Sequence, residues 1–222
     1  MKSLLIIGKN SKIWNKIKKN IRKNKVITEI SHDQLRFLKK QKRFDEIWIF
    51  GYSKNVNENY DLLHSAVSIE YKKCFYFSSK TTNICQVTTD YRYPMIKKIS
   101  EDFLKRYNNT YIVRLGLVYG KKSDIPGGSS FVTSYKEIIK FINRDKRRIS
   151  YKKDINLAKF INKKFSSELE RAAYTLYGFI LMSGLFRPFL LRPIDSVLRL
   201  IGWRWYGYFY LSNNICPIIK KM

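Results

Sequence analysis

Apolar runs of strand length alternate with stretches of helical period through the first three quarters of the chain. The runs predict strands at Leu4–Gly8, Val26–Ile30, Glu46–Gly51, Cys74–Ser79 and Tyr111–Gly116. Between them, Ser11 to Lys23 sets Ile13, Ile17 and Ile21 on one stripe with lysines opposite, which predicts a helix. Asn59 to Tyr71 and Tyr93 to Tyr107 repeat that pattern. The segment from Gly120 to Ser130, GKKSDIPGGSS, reads as a loop from its Gly, Pro and Ser content. Beyond it the pattern predicts a helix over Val132–Asn143, a short strand near Arg148–Tyr151 and a helix from Asp154 to Phe165. This rhythm argues for an α/β fold, a Rossmann-like parallel sheet flanked by helices.

The composition changes near Ser167, so the sequence divides into residues 1–166 and a C-terminal helical, aromatic-rich appendage, 167–222. Ala172–Phe186 carries no charge. Arg187, Arg192, Arg199 and Arg204 then interleave with Leu, Phe and Trp, and Trp203, Trp205, Tyr206, Tyr208, Phe209 and Tyr210 form an aromatic cluster. The uncharged stretch is shorter than the ~20 residues needed to span a bilayer, and Pro188 and Pro193 break the chain beyond it into short pieces. The appendage is therefore expected to lie in the interface of an anionic membrane, peripheral on its inner face. Its alternative roles are to cover the α/β core or to form a homodimer contact.

With 45% hydrophobic and 15% aromatic residues, the chain of 222 can bury a substantial core. Forty-four basic residues against 17 acids give a formal net charge of +27, a field that attracts an anionic membrane, a phosphorylated substrate or nucleic acid. No nucleic-acid motif accompanies the charge, which disfavours the last partner. Cys74, Cys85 and Cys216 are widely spaced and lack a CxxC pair, so neither a disulfide framework nor a zinc site is indicated and a reducing cytoplasm fits. His32 and His64 are too few for a His-rich metal site. The apolar run Leu4 to Ile7 is too short for a signal peptide.

In an open parallel sheet the ligand lies beyond the C-terminal strand ends, and the first strand-to-helix turn holds phosphate. Here that turn is Gly8-Lys9-Asn10-Ser11-Lys12. It matches a dinucleotide fingerprint at Gly8 alone, with Ser11 at the second glycine position and Trp14 at the third. Ser11 could cap the helix and leave backbone N–H groups for phosphate, while Lys9 and Lys12 supply charge. Tyr-x-x-x-Lys occurs twice, as Tyr76…Lys80 and Tyr93…Lys97. The spacing brings side chains together on a helix but sets them two pleats apart on a strand, so the Tyr93 pair is the candidate.

Four segments in order, FDEIWIFGYS, KCFYFSSK, YRYPMIKKISEDFLKR and TYIVRLGLVYGK, resemble the extended short-chain dehydrogenase/reductase family of sugar-nucleotide epimerases and dehydratases. Arg114-Leu115-Gly116-Leu117-Val118-Tyr119-Gly120 is the closest match. Ser31-His32-Asp33-Gln34-Leu35 resembles the family's Gly-Asp-Leu turn near the adenine, and Asp154-Ile155-Asn156-Leu157-Ala158 its late helix start. The resemblance implies NAD or NADP held by Gly8, Lys9, Asn10, Ser11, Lys12, Asp33 and Gly51. It makes Tyr93 the proton-exchanging phenol, Lys97 the ammonium that lowers its pKa and holds the ribose, and Ser79 (Ser78 or Thr81 in another register) the partner of the reacting oxygen. The implied substrate is a nucleotide-linked sugar in cell-surface polysaccharide synthesis. The alternative is a catalytically degenerate scaffold or binding protein at the membrane surface that keeps the fold. One strand–helix unit fewer than in the family precedes Glu46–Gly51.

Overall fold

A computed structural model describes residues 2–21, 24–35, 43–53, 55–86, 92–125, 127–144, 153–165, 167–169, 171–172 and 175–176. Six strands form an all-parallel sheet in the order β2-β1-β3-β4-β5-β8. They are β1 (Lys2–Ile7), β2 (Lys25–Ile30), β3 (Phe44–Ile49), β4 (Tyr71–Ser79), β5 (Thr110–Leu115) and β8 (Asp154–Asn156). The chain moves from β1 outward to β2 and returns past β1 to β3, so the winding direction reverses beside β1. Three further strands, β6 (Leu117–Tyr119), β7 (Gly128–Ser134) and β9 (Lys159–Lys163), form a second sheet.

Alternation along each strand sends side chains to two apolar layers. On one face Leu4, Ile6, Trp48, Phe75 and Phe77 pack under helices α1 (Lys12–Ile17) and α5 (Tyr135–Asn143). On the other, Leu5, Ile7, Ile49 and Tyr76 meet α2 (His32–Leu35), α3 (Val56–Val67) and α4 (Arg92–Leu104). Both faces are covered, which is why the strands read as nearly continuous apolar runs.

Five of the six sequence-predicted strands are present, and the structure corrects several other boundaries. α1 stops at Ile17 and passes into a 3₁₀ turn, Lys18–Asn20. α3 begins earlier than Asn59 because the Asn55 side chain accepts from the Asn57 N–H at 2.9 Å. Residues 132–134, expected in a helix, complete β7, and Ser134 with Glu137 then forms a capping box that starts α5. The largest correction falls on Asp154–Phe165, which is β8 and β9 rather than a helix. The Asn156 side chain accepts from the Ala158 N–H at 3.1 Å, a local turn that competes with helix, while Ile112 to Arg114 pairs with β8. The strand expected near Arg148–Tyr151 and nearly all of the appendage lie outside the described residues. No helix among the described residues is long and apolar enough to cross a membrane.

Gly116 separates β5 from β6 at a point where a Cβ would lie 2.3 Å from the Phe131 carbonyl oxygen. Only glycine lets β7 approach that closely.

Candidate functional site

The C-terminal ends of β1, β2 and β3 are sewn together by backbone bonds. The N–H groups of Gly8 and Lys9 both donate to Ile30 O at 3.0 Å, and those of Phe50 and Gly51 donate to Ile7 O at 2.9 and 3.1 Å. Gly8 has φ +99°, and a Cβ there would stand 2.6 Å from Gly51 N, so this crossing requires glycine. Above it opens a cleft of about 370 Å³, lined by Gly8, Asn10, Ser11, Ser31, His32, Asp33, Phe50, Gly51, Tyr52 and Leu62. It sits where the winding reverses, the usual ligand position in an open parallel sheet, and falls in the volume range of small-molecule sites.

Five of the seven residues expected to hold a cofactor line this cleft: Gly8, Asn10, Ser11, Asp33 and Gly51. Lys9 and Lys12 do not. Lys9 Nζ donates to Gln34 Oε1 at 2.8 Å, and Lys12 points outward from α1. Ser11 occupies the position before α1, but its side chain accepts no capping bond. Trp14, at the third glycine position, is fully buried and stacks obliquely on Phe50 with ring centroids 5.7 Å apart, so that face accommodates an indole. Asp33 lies just past the end of β2, where an acidic side chain can receive ribose hydroxyls.

Tyr93 and Lys97 lie on α4 as expected, and Tyr52 stands between them. Its ring meets Tyr93 edge-on at 5.0 Å between centroids, and Lys97 Nζ lies 5.3 Å from the Tyr52 centroid and 4.6 Å from that of Tyr76. Tyr52 therefore joins the cleft to α4, a role the sequence reading missed although the residue adjoins Gly51. The Lys97 side chain is buried, 4% exposed, and its amine donates to Phe77 O at 3.0 Å. Ser79 ends β4 and is buried, its Oγ accepting from Thr81 N at 3.2 Å and from Thr81 Oγ1 at 2.9 Å. Gly51, Ser79 and Tyr93 thus share the C-terminal edge of the sheet, but Lys97 and Ser79 face inward.

A buried carboxylate that the sequence reading passed over organises this edge. Glu101, wholly buried on α4, accepts from Ser78 Oγ at 2.6 Å, Thr82 Oγ1 at 3.3 Å, and Arg114 Nε and Nη2 at 3.2 and 2.6 Å. The bidentate arginine is the group that compensates a buried charge.

Burial pushes the Lys97 ammonium down to about 7, with the Glu101 charge opposing the shift. An unfolded lysine keeps its proton to about 10.4, so above about pH 7 the unfolded chain binds more protons and stability rises with pH. Lys97 is expected to raise the unfolding free energy by about 2 kcal/mol between about pH 7 and 9, offset in part by the Cys74 thiol, which burial pushes up to about 12, and Lys97→Met should abolish the rise. Urea titrations at both pH values measure this; an equal rise in the variant would contradict it.

No protein-family model and no curated protein matches the chain. Solved structures do match in fold. CapF, the capsular polysaccharide assembling protein of Staphylococcus aureus, is 14% identical with a TM-score of 0.56, covering 83% of this chain and 63% of its own. This chain thus spans less than two thirds of the CapF chain. TunA, an NAD-dependent NDP-hexosamine 5,6-dehydratase of tunicamycin biosynthesis, is 12% identical with a TM-score of 0.54, covering 82% of this chain and 81% of its own. The UDP-glucuronic acid 4-epimerase of Bacillus cereus, solved with UDP-glucuronic acid and NAD, is 15% identical with a TM-score of 0.51, covering 72% and 79%. At these identities the likeness is one of fold, the Rossmann-like α/β architecture.

Proposed function

We propose that residues 1–166 bind NAD or NADP in the cleft beside β1 and act on a nucleotide-linked sugar, as an epimerase, dehydratase or reductase of cell-surface polysaccharide synthesis. The observation that carries the reading is the convergence of Gly8, Asn10, Ser11, Asp33 and Gly51 on one cleft at the winding reversal. The residues fit the cofactor. Asp33 would take the ribose hydroxyls, the Gly8–Ser11 turn the diphosphate, and Gly51 and Tyr52 the passage toward Tyr93. A nicotinamide dinucleotide supplies hydride exchange when bound. The chain contributes Tyr93, half-buried where α4 meets Tyr52, as the group that exchanges a proton with the sugar. Two proteins of the same fold support the reading: TunA is NAD-dependent, and the Bacillus cereus epimerase was solved with NAD bound.

A second reading, a binding scaffold without turnover, is favoured by Lys97. An amine engaged with Phe77 O and pushed toward neutrality gives a phenolate little electrostatic help. Cofactor-coupled turnover of UDP- and dTDP-linked sugars, followed by nicotinamide absorbance and product chromatography, separates the two. If Tyr93 exchanges the proton, Tyr93→Phe lowers kcat by about 100-fold or more while cofactor affinity stays within about twofold. Cofactor binding without turnover in the unaltered protein would establish the scaffold.

A further inference from the structure

Among the described residues, the charge is unevenly placed on the fold. α1 and the 3₁₀ turn after it carry Lys12, Lys16, Lys18 and Lys19 and no acid. Beside them, α5 presents Lys136 and Lys140, and Arg144 adjoins its end. All seven side chains are exposed. The two helices lie side by side: Asn143 at the end of α5 donates Nδ2 to Asn20 O of the turn after α1 at 3.0 Å, and Lys25 at the start of β2 donates Nζ to Ile142 O of α5 at 2.7 Å. Among the described residues, Glu29 pairs with Lys18 at 3.6 Å, which offsets that lysine, and Glu137 pairs with Lys159 at 2.5 Å, so six of the seven charges stand outside these pairs. The opposite layer differs. α3 holds Glu58 and Asp61 and no Lys or Arg, while on α4 Arg92 stands at the start, Lys97 is buried, Lys98 is paired with Asp102, and Lys105, within 3.8 Å of Asp154, and Arg106 follow its end.

We propose that the α1/α5 layer is the surface by which this protein docks on an anionic lipid bilayer, leaving the α3/α4 layer to solvent. This goes beyond the catalytic reading and does not rest on it. The chemistry favours a bilayer over nucleic acid. Stacking of bases needs exposed aromatic rings, and on these two helices Trp14 and Phe141 are buried while Tyr135 packs against the core. The patch is almost entirely lysine, a flexible point charge suited to a diffuse field of headgroups, whereas specific phosphate recognition uses the arginine fork. The sequence of residues 172–222 supplies a second signal in its uncharged stretch and its arginine-aromatic composition. Stable attachment generally combines an apolar insertion with a polybasic surface, and the layer provides the surface.

The test is cosedimentation of the full chain with phosphatidylcholine vesicles, with and without phosphatidylglycerol. Combining Lys16→Gln, Lys19→Gln and Lys140→Gln should weaken binding to the anionic vesicles by about 100-fold, from about 1 kcal/mol per basic residue near the headgroups. Removing equal charge on the other layer, with Lys98→Gln, Lys105→Gln and Arg106→Gln, should change it by less than about threefold. Circular dichroism melts confirm that each variant folds. The pair Lys136→Gln and Arg144→Gln, sharing the surface but none of the first three side chains, should weaken binding in the same direction. Equal losses from both triple variants would mean that net charge alone attracts the membrane and would overturn the proposal. So would unchanged vesicle binding by the α1/α5 variant, which would assign attachment to residues 172–222 alone. Loss of duplex DNA binding with vesicle binding intact would make the layer a nucleic-acid surface instead.

Discussion

Glu101→Ala is expected to destabilise the protein by about 3 kcal/mol, near the lower end of the range for breaking a buried ion pair. The substitution leaves Arg114, with its side chain 20% exposed, without its bidentate acceptor, and it strips the Ser78 hydroxyl of its own, while Thr82 keeps Ser79 O at 2.9 Å. Asp154, 3.7 Å from Arg114 Nη1, takes up part of the released charge, which keeps the loss from the top of that range. Glu101→Gln retains a hydrogen-bond acceptor but not the charge, and should cost about half as much. Urea unfolding of the three proteins at neutral pH measures the series. A loss below about 1 kcal/mol for alanine would show that the network contributes little to holding β4, β5 and α4 together.

Gly8→Ala should cost about 2–4 kcal/mol, because it meets two penalties at once. The backbone there has φ +99°, which residues other than glycine rarely adopt. The new methyl would also sit 2.6 Å from Gly51 N and 2.9 Å from Gly51 Cα, and neither atom belongs to a side chain that can turn aside. Relief requires β1 and β3 to part at their C-terminal ends, which deforms the floor of the cleft. Stability and nucleotide affinity should therefore fall together. A variant of native stability, measured by thermal unfolding, would contradict the close approach.

Strands β1 to β5 of the main sheet were legible because burial on both faces leaves long apolar runs that few other arrangements produce. Asp33 was reached through the resemblance of Ser31–Leu35 to the family's turn near the adenine, and its side of the cleft follows from its place just past β2. What escaped the sequence depends on partners distant along the chain. β6, β7 and β9 are held by pairing Leu117 with Val132 and Phe131 with Phe160, and no local periodicity records that. β8 and β9 were mistaken for a helix because the turn at Asn156 and the edge of β5 outweigh the local pattern. Glu101 was passed over, since its importance lies in Arg114, which belongs to another element. The spacing of Tyr93 and Lys97 was right in placing both on one helix, yet it could not show that the Lys97 amine turns to Phe77 O. Tyr52, packed between them, has no spacing signature.

The cleft formed by the ends of β1, β2 and β3 is proposed as a nucleotide site in which Asp33 holds a ribose. Isothermal titration of the folded protein with NAD, alongside Asp33→Ala, tests it most directly. The expected result is one site per chain, weakened about tenfold or more by Asp33→Ala at unchanged thermal stability, as for loss of a hydrogen bond to a charged group. No heat of binding from either NAD or NADP, or an affinity indifferent to Asp33→Ala, would contradict the claim.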